Sequence, residues 1–88
     1  MDVEWDSEKA ASNRRKRGVD FADAATALSD EFSLTLVDES SDEQRFVTLG
    51  SDARGQLLVV VYTARRETVR LISPRLATRA ERKQYEVR

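Results

Sequence analysis

The longest apolar segment of the chain covers residues 57–62, follows Gly55 and is rich in β-branched side chains. An uninterrupted apolar run of this length is typical of a strand that is covered on both faces. Residues 64–67 are polar or small and fit a hairpin loop. Residues 68–73 then predict a second strand, which Pro74 is expected to end. The pattern therefore predicts a central β-hairpin.

Three further segments have the pattern of β-strands. Residues 2–5 and 32–36 alternate polar and apolar side chains, as expected of strands that have one exposed face. Residues 44–49 form the third segment, and a turn with glycine at both ends separates it from the hairpin. An acidic loop is expected over residues 38–43.

Three other segments carry helix signals. One helix is predicted over about residues 21–29, where apolar side chains recur at i, i+3, i+4 and i+7. Asp6 is a good N-cap for a helix over about residues 7–16, and Thr78 begins a capping box for a helix that ends near Glu86. The predicted order is β-α-α-β-β-β-β-α. Short connections between the strands favour an α+β fold in which helices pack on an antiparallel sheet.

The length and composition of the chain restrict the classes of function. The 88 residues predict one domain over 1–88, near the lower limit for a self-sufficient core. The absence of cysteine and histidine excludes disulfides, thiolate nucleophiles, the usual zinc sites and the commonest general base near neutral pH. No metal or cofactor is therefore predicted. No apolar run approaches the roughly 20 residues of a membrane span, so a cytoplasmic location without membrane contact is expected.

The net charge of −1 conceals an uneven distribution of charge along the chain. Residues 1–44 hold twelve acidic and five basic side chains, whereas residues 65–88 hold eight basic and three acidic ones. A local basic cluster at residues 14–17 interrupts the acidic half. This asymmetry favours a surface for an anionic partner such as nucleic acid, and a solvated mixed-charge surface is the alternative. Arginines in and around the central hairpin predict a phosphate-handling site, because guanidinium groups bind such anions through two parallel hydrogen bonds.

Residues that match one family pattern are distributed along nearly the whole chain. They are Trp5, Asp6, Lys9, Asn13, Lys16, Gly18, Val19, Phe21, Asp30, Glu43, Arg45, Leu49, Gly50, residues 58–61, Thr63, Arg65, Arg70, Ile72, Ser73, Arg75, Ala77, Glu81 and Tyr85. This ordered set resembles the BrnT family of toxins from bacterial toxin–antitoxin pairs. The family usually has Lys-His-Gly at residues 16–18 and Ser-Ala-Arg at residues 73–75, so the chain departs from the pattern at Arg17 and Pro74.

The resemblance implies a small ribonuclease with a RelE-like fold that cleaves messenger RNA without a metal. It also implies a BrnA-type antitoxin whose ribbon-helix-helix domain binds operator DNA, so that the toxin contacts DNA only indirectly. The alternative is a catalytically inactive subunit that binds the antitoxin in a repressor complex. A third hypothesis is direct DNA binding by the basic C-terminal helix, although Glu81 and Glu86 interrupt its basic stripe.

Metal-free cleavage of RNA determines which residues are candidates for the site. The 2′-hydroxyl attacks the adjacent phosphorus, and fixed donors must stabilise the charge that builds on the non-bridging oxygens. Arginine supplies such donors but cannot act as a base, so proton transfer falls to Lys16, Glu43, Glu81 or Tyr85. The predicted catalytic residues are Lys16, Arg45, Arg70, Arg75 and Tyr85, and the predicted RNA-binding residues are Arg17, Arg65, Arg66 and Arg79.

Each candidate also has a structural interpretation. Arg70 can pair with a carboxylate across the sheet, and Lys16 and Arg17 can stabilise the C-terminal end of their helix. Tyr85 can anchor the last helix, and capping alone explains Glu81. The nuclease hypothesis requires arginines from separate strands to meet over one face of the sheet.

Overall fold

The computed structural model describes residues 2–39 and 43–87, which form five strands and three helices. In chain order the elements are β1 (Asp2–Glu4), α1 (Ser7–Arg17), α2 (Phe21–Ala27), β2 (Leu34–Asp38), β3 (Arg45–Ser51), β4 (Leu57–Arg65), β5 (Thr68–Leu76) and α3 (Arg79–Glu86). This confirms the predicted α+β class and the predicted order of elements. Residues 40–42 of the expected acidic loop lie outside the described residues, whereas Asp38 belongs to β2.

The five strands of the described chain form one mixed sheet in the order β1-β5-β4-β3-β2. Strands β2 to β5 are an antiparallel meander, but β1 pairs in parallel with β5. The prediction of an antiparallel sheet is therefore wrong for this pair. Short turns fix the antiparallel direction of strands that follow one another in the chain. No such turn joins β1 to β5, because two helices and three strands lie between them.

One face of the sheet, which helix α2 covers, carries the larger core. Phe21 and Ala24 of α2 are buried there against Leu58 and Val60 of β4. Trp5 is partly buried and packs edge-on against Phe21, with ring centroids 6.1 Å apart. The apolar stripe of α2 thus fixes the helix on the central strands.

The opposite face, called the site face below, carries the alternate β4 residues from Leu57 to Arg65. Helix α3 covers one end of this face, where Tyr85 packs against Leu57 and Val59. The other end, around Thr63 and Arg65, lies open as a cavity. The site face is therefore divided between a small apolar cluster and a polar basin.

A β-bulge determines which side chains of β5 reach the site face. The register shifts by one residue between Val61 and Tyr62 of β4, and Ile72 is the extra residue on β5. Arg70 and Arg75 are five residues apart, a spacing that puts side chains of a regular strand on opposite faces. The extra residue at the bulge brings both arginines onto the site face.

Pro74 lies inside β5 instead of ending the strand as predicted. Its carbonyl oxygen accepts a hydrogen bond from Asn13 Nδ2 of α1 at 3.0 Å, so this side of the residue faces away from β4. Because the N–H and C=O of a strand residue point to the same side, proline removes no hydrogen bond between β5 and β4 here. The strands of this hairpin are also longer than predicted, and residues 66–67 form the turn between them.

Helix α1 begins at the N-cap that its sequence predicts, Asp6, and ends at a glycine. The carboxylate of Asp6 accepts hydrogen bonds from the backbone N–H groups of Lys9 and Glu8, which lower its pKa. Gly18 ends the helix in the left-handed conformation at φ 71°, which glycine adopts without strain. Since β1 pairs only with the first residues of β5, α1 packs along the remaining edge of that strand.

Candidate functional site

A row of side chains crosses the site face at the end that α3 leaves open. Glu4 of β1 is the register partner of Arg70 on β5, and Arg70 is the partner of Thr63 on β4. The register of β3 with β4 places Arg45 next in the row, beside Thr63. Because neighbouring strands lie about 4.8 Å apart, the backbones of Arg45 and Arg70 are only about 10 Å apart.

This row lies in a cavity of about 280 Å³, which we call the arginine basin. Its charged lining consists of the cations Lys9, Arg45, Arg65 and Arg70 and the carboxylates Glu4 and Glu43. Thr63 and Ile72 complete the lining. Four cations face two carboxylates, so the basin carries an excess of positive charge and is suited to an anion.

Two cations of the arginine basin form ion pairs with its carboxylates. Arg65 Nη2 lies 3.2 Å from Glu43 Oε1, and Arg70 Nη1 lies 3.4 Å from Glu4 Oε1. The four side chains are between 50% and 80% exposed, so each pair adds only about 0–1 kcal/mol to stability. Each pair uses one guanidinium nitrogen and leaves the other N–H donors available to a ligand.

Arg45 differs from its neighbours in the arginine basin. Its Nε atom is buried and has no hydrogen-bond partner among the described residues. An unsatisfied buried donor costs about 1–3 kcal/mol, and an anionic oxygen is the strongest acceptor that could satisfy it. Arg45 is therefore the side chain of the basin with the clearest unmet requirement for a ligand.

Arg75 lies on the same face as the arginine basin but does not line it. Its two terminal nitrogens donate to the two carboxylate oxygens of Glu81, each at 2.8 Å. Glu81 also accepts a hydrogen bond from the N–H of Thr78, which completes the predicted capping box of α3. The bond from Arg75 is the main reason that the pKa of Glu81 falls to about 2, and it raises the pKa of Arg75. This pair fastens α3 to β5.

Tyr85 is engaged at the same end of the site face as Arg75. Its hydroxyl donates to Asp30 Oδ2 at 2.5 Å, and its ring packs on the small apolar cluster. Asp30 also accepts a hydrogen bond from the N–H of Ser51 at 2.8 Å. Tyr85 therefore joins α3 to the end of β3, and it does not line the arginine basin.

Lys16 and Arg17 line a second cavity, of about 240 Å³, which we call the α1 groove. The lining of the α1 groove is Lys9, Ser12, Asn13, Lys16, Arg17 and Ile72. Lys9 and Ile72 also line the arginine basin, so the two cavities adjoin. The structure thus places Lys16 and Arg17 beside the basin and not within it.

The other two predicted RNA contacts lie outside both cavities. Arg66 occupies the turn between β4 and β5 with φ 53°, and Arg79 is the first residue of α3. Both side chains are exposed. Their contact with RNA stays a prediction.

Reasoning from the sequence missed Glu4 as a residue of the arginine basin. It reached Thr63 and Lys9 only through the family resemblance. Glu4 meets Arg70 through the parallel pairing of the first and last strands, and no local pattern signals that pairing. The spacing of Lys9 and Lys16, seven residues apart on one helix, was the available sign that they share a side.

Within the described residues, no group of three or more His, Cys, Asp or Glu side chains is placed to hold a metal ion. None of the helices in that part of the chain is long and apolar enough to cross a membrane.

Comparison with known proteins defines the class as a toxin of a type II toxin–antitoxin system. The family profile described as "Ribonuclease toxin, BrnT, of type II toxin-antitoxin system" matches residues 5–81. The chain belongs to this BrnT family of ribonuclease toxins. The resemblance that the ordered set of residues indicates is thereby confirmed.

The fold is similar to that of the ribonuclease toxin BrnT from Brucella abortus, whose crystal structure is known at 1.1 Å. The two chains align with a TM-score of 0.67 and 27% sequence identity, over 90% of this chain and 99% of the Brucella chain. A search of curated protein sequences found no match.

Proposed function

We propose that the chain is an endoribonuclease toxin that cleaves messenger RNA in the arginine basin without a metal ion. Its membership of the BrnT family supports ribonuclease activity at the level of class. The observation that carries the proposal is the arginine basin itself, a single cavity lined by Arg45, Arg65 and Arg70. Guanidinium groups that converge on one cavity are suited to the oxygens of a single phosphodiester.

In this mechanism the 2′-hydroxyl loses its proton and attacks the adjacent phosphorus, and the 5′-oxygen of the next nucleotide leaves as a hydroxyl group after taking up a proton from water. Negative charge grows on the non-bridging oxygens as the new bond forms. Arg45 and Arg70, on either side of Thr63, donate hydrogen bonds to those oxygens. Donors fixed on strands accelerate the reaction because their bonds strengthen as the charge develops.

The carboxylates of the arginine basin are our proposed proton acceptors. Among the four candidates named from sequence, Glu43 is the one that lines the basin. Glu81 and Tyr85 are engaged in anchoring α3, and Lys16 lines the adjoining α1 groove. Glu4 is a second carboxylate in the basin. Either Glu4 or Glu43 can take the proton of the 2′-hydroxyl if it comes within hydrogen-bond reach of it.

The proposed partner is a BrnA-type antitoxin that covers the site face and binds operator DNA through a ribbon-helix-helix domain. Membership of a type II toxin family supports an antitoxin partner. An apolar row of Leu36, Val47 and Val61 crosses the sheet next to the row that holds Arg45 and Arg70, and Leu36 is 74% exposed. An antitoxin segment with apolar and acidic side chains would complement this row and the positively charged basin together. A cytoplasmic location is proposed because messenger RNA is found there.

The proposal is tested by cleavage of a defined RNA in the presence of EDTA. We expect the unmodified chain to cleave it and to leave a 2′,3′-cyclic phosphate on the upstream product. Arg45→Gln and Arg70→Gln should each lower kcat by about 10²- to 10³-fold, because each removes a donor to the developing charge. Arg54→Gln is the matched control, since Arg54 is exposed and pairs with Asp23 at 3.3 Å outside the basin.

The same assay separates the enzyme from the alternative function. A folded chain that leaves RNA intact and does not arrest growth on expression is the result expected of an inactive, antitoxin-binding subunit. Cleavage that fails when EDTA is added would contradict the metal-free mechanism.

A further inference from the structure

Helix α1 has two basic sides that differ in their surroundings. One side lines the α1 groove, and its residues recur at i, i+3, i+4, i+7 and i+8 from Lys9 to Arg17. The other side carries Arg14 and Arg15, which line a separate depression together with Asp20. The basic cluster of residues 14–17 is therefore divided between two surfaces.

The two sides also differ in charge balance. Lys9, Lys16 and Arg17 line the α1 groove without a carboxylate in its described lining. On the other side, Arg14 Nη1 lies 3.8 Å from Asp20 Oδ2, which partly neutralises it. The α1 groove thus has the larger excess of positive charge and the stronger attraction for an anion.

Hydrogen bonds of Asn13 fix the position of helix α1, and so place the α1 groove beside the arginine basin. The side chain amide of Asn13 donates to the carbonyls of Pro74 and Val19, at 3.0 and 3.2 Å. These bonds tie α1 to the edge of β5 beside Ile72, which lines both cavities. Groove and basin are therefore parts of one continuous surface, with Lys9 at their junction.

We propose that the α1 groove is a second phosphate subsite, which binds the RNA backbone next to the linkage cleaved in the arginine basin. This inference rests on the proposed ribonuclease function. Lys9 and Lys16 are seven residues apart, or about 10 Å along the helix axis, which is more than a single phosphate group spans. The ligand is therefore an RNA segment with phosphates on both sides of the junction.

The side chains of α1, and not its backbone, must bind this phosphate. Lys16 and Arg17 lie in the last turn of the helix, where the carbonyl end of the helix dipole repels anions. Contacts from long flexible cations to a phosphate backbone carry no sequence preference and weaken steeply with salt. The subsite thus adds affinity and fixes the path of the strand without selecting bases.

The test compares two double variants that remove the same charge from the same helix. The probe is a fluorescein-labelled 2′-O-methyl RNA, which lacks the attacking hydroxyl and stays intact while its anisotropy is measured. Lys16→Gln with Arg17→Gln should weaken binding about tenfold and reduce the slope of log K against log salt by about 0.7 for each lost phosphate contact. Arg14→Gln with Arg15→Gln should change the affinity by less than about twofold, because those side chains face the other side.

A second readout is the dependence of cleavage on RNA length. The unmodified chain should cleave a longer RNA more efficiently than a dinucleotide, and the variant of Lys16 and Arg17 should lose most of that advantage. Equal weakening by the two double variants would overturn the subsite, because net charge alone would then explain binding. Failure of the unmodified chain to cleave any RNA would instead overturn the proposed function, so the two failures are distinct.

Discussion

Three arginines, Arg45, Arg66 and Arg75, have different environments in this protein. Arg45 has a buried Nε without a hydrogen-bond partner among the described residues. Arg75 is bound through both terminal nitrogens to Glu81. Arg66 extends from an exposed turn. Of these three arginines, Arg45 is the one that lines the arginine basin and also has a donor without a hydrogen-bond partner among the described residues. The environment of each arginine, and not its chemical type, therefore indicates its role.

The ion pair between Arg75 and Glu81 leads to a prediction about stability and pH. The pKa of Glu81 is about 2 in the folded chain, below its ordinary value of 4.5. The pair therefore stabilises the fold fully above about pH 4.5, and this contribution is lost as the pH falls toward 2. Both side chains are partly exposed, so we discount the shift for solvent screening and expect Glu81→Gln to lower the free energy of unfolding by about 1–2 kcal/mol at pH 7.

Urea unfolding of the two proteins at several pH values checks this prediction. The difference between the unmodified chain and Glu81→Gln should shrink below pH 4.5 and become small near pH 2, where half of the Glu81 carboxyls of the folded chain are protonated. Glu86→Gln removes a negative charge from the exposed end of the same helix and is the control. A difference that stays constant from pH 7 to pH 2 would show that Glu81 acts without its charge.

Helix α3 as an element is attached to the sheet by a few specific contacts. It has no fully buried residue, and its packing rests on a small cluster of Leu49, Leu57 and Val59. The bonds of Tyr85 to Asp30 and of Glu81 to Arg75 are therefore a large part of what holds it. Three residues that the sequence offers as candidates for catalysis, Arg75, Glu81 and Tyr85, therefore lie where α3 is anchored.

Tyr85→Phe separates the anchoring role from a catalytic one. Removal of the hydroxyl leaves one carboxylate oxygen of Asp30 without this donor and should destabilise the fold by about 1–2 kcal/mol. Under conditions where both proteins are folded, kcat for RNA cleavage should change by less than about twofold. Thermal unfolding and single-turnover cleavage measure the two effects. A fall in kcat of about 10²-fold or more at unchanged stability would return Tyr85 to the catalytic group.

The contact between α2 and β3 depends on a glycine. A Cβ atom at Gly50 would lie 2.6 Å from the carbonyl oxygen of Ala27 and 3.3 Å from Ser33 Cβ. Gly50→Ala should therefore push α2 away from the sheet and lower the free energy of unfolding by about 1–3 kcal/mol or more. Gly55→Ala meets no atom within 4 Å but strains a backbone at φ 84°, so about 1 kcal/mol is expected for it.

Urea unfolding of both variants measures these costs. Equal destabilisation by Gly50→Ala and Gly55→Ala would contradict the close approach of α2 to β3.

At the scale of the whole molecule, local signals predict the elements and long-range pairing decides how they combine. The order of helices and strands and the caps at Asp6 and Thr78 follow from patterns within a few residues of each other. The parallel pairing of β1 with β5 joins strands that are distant in the chain, and the bulge at Ile72 depends on the register in which β5 pairs with β4. The prediction that Pro74 ends β5 is wrong because a proline interrupts a strand only where its missing N–H would bond to a neighbouring strand. Here that side of Pro74 faces α1 and not β4.

The same distinction applies to the candidate site. Composition and the resemblance select Arg45, Arg65 and Arg70 as candidates, and the fold brings them into one basin. Arg75 is an equally good candidate in the sequence, but in the structure it is paired with Glu81. The sequence does not indicate this pair, because the capping box of α3 already accounts for Glu81. The register of the sheet determines which arginine lines an open cavity and which is paired with a carboxylate. No local sequence pattern predicts that register.

The proposed mechanism requires Arg45 and Arg70, on either side of Thr63 in one row, to bind the same phosphodiester. A double-mutant cycle on kcat/KM for RNA cleavage tests this most directly, with Arg45→Gln, Arg70→Gln and the two combined. If both side chains stabilise the same transition-state charge, the double variant should be much less impaired than the product of the single effects, with a coupling of about 0.5–3 kcal/mol. Strictly additive losses would show that the two arginines act at separate places and would contradict the account.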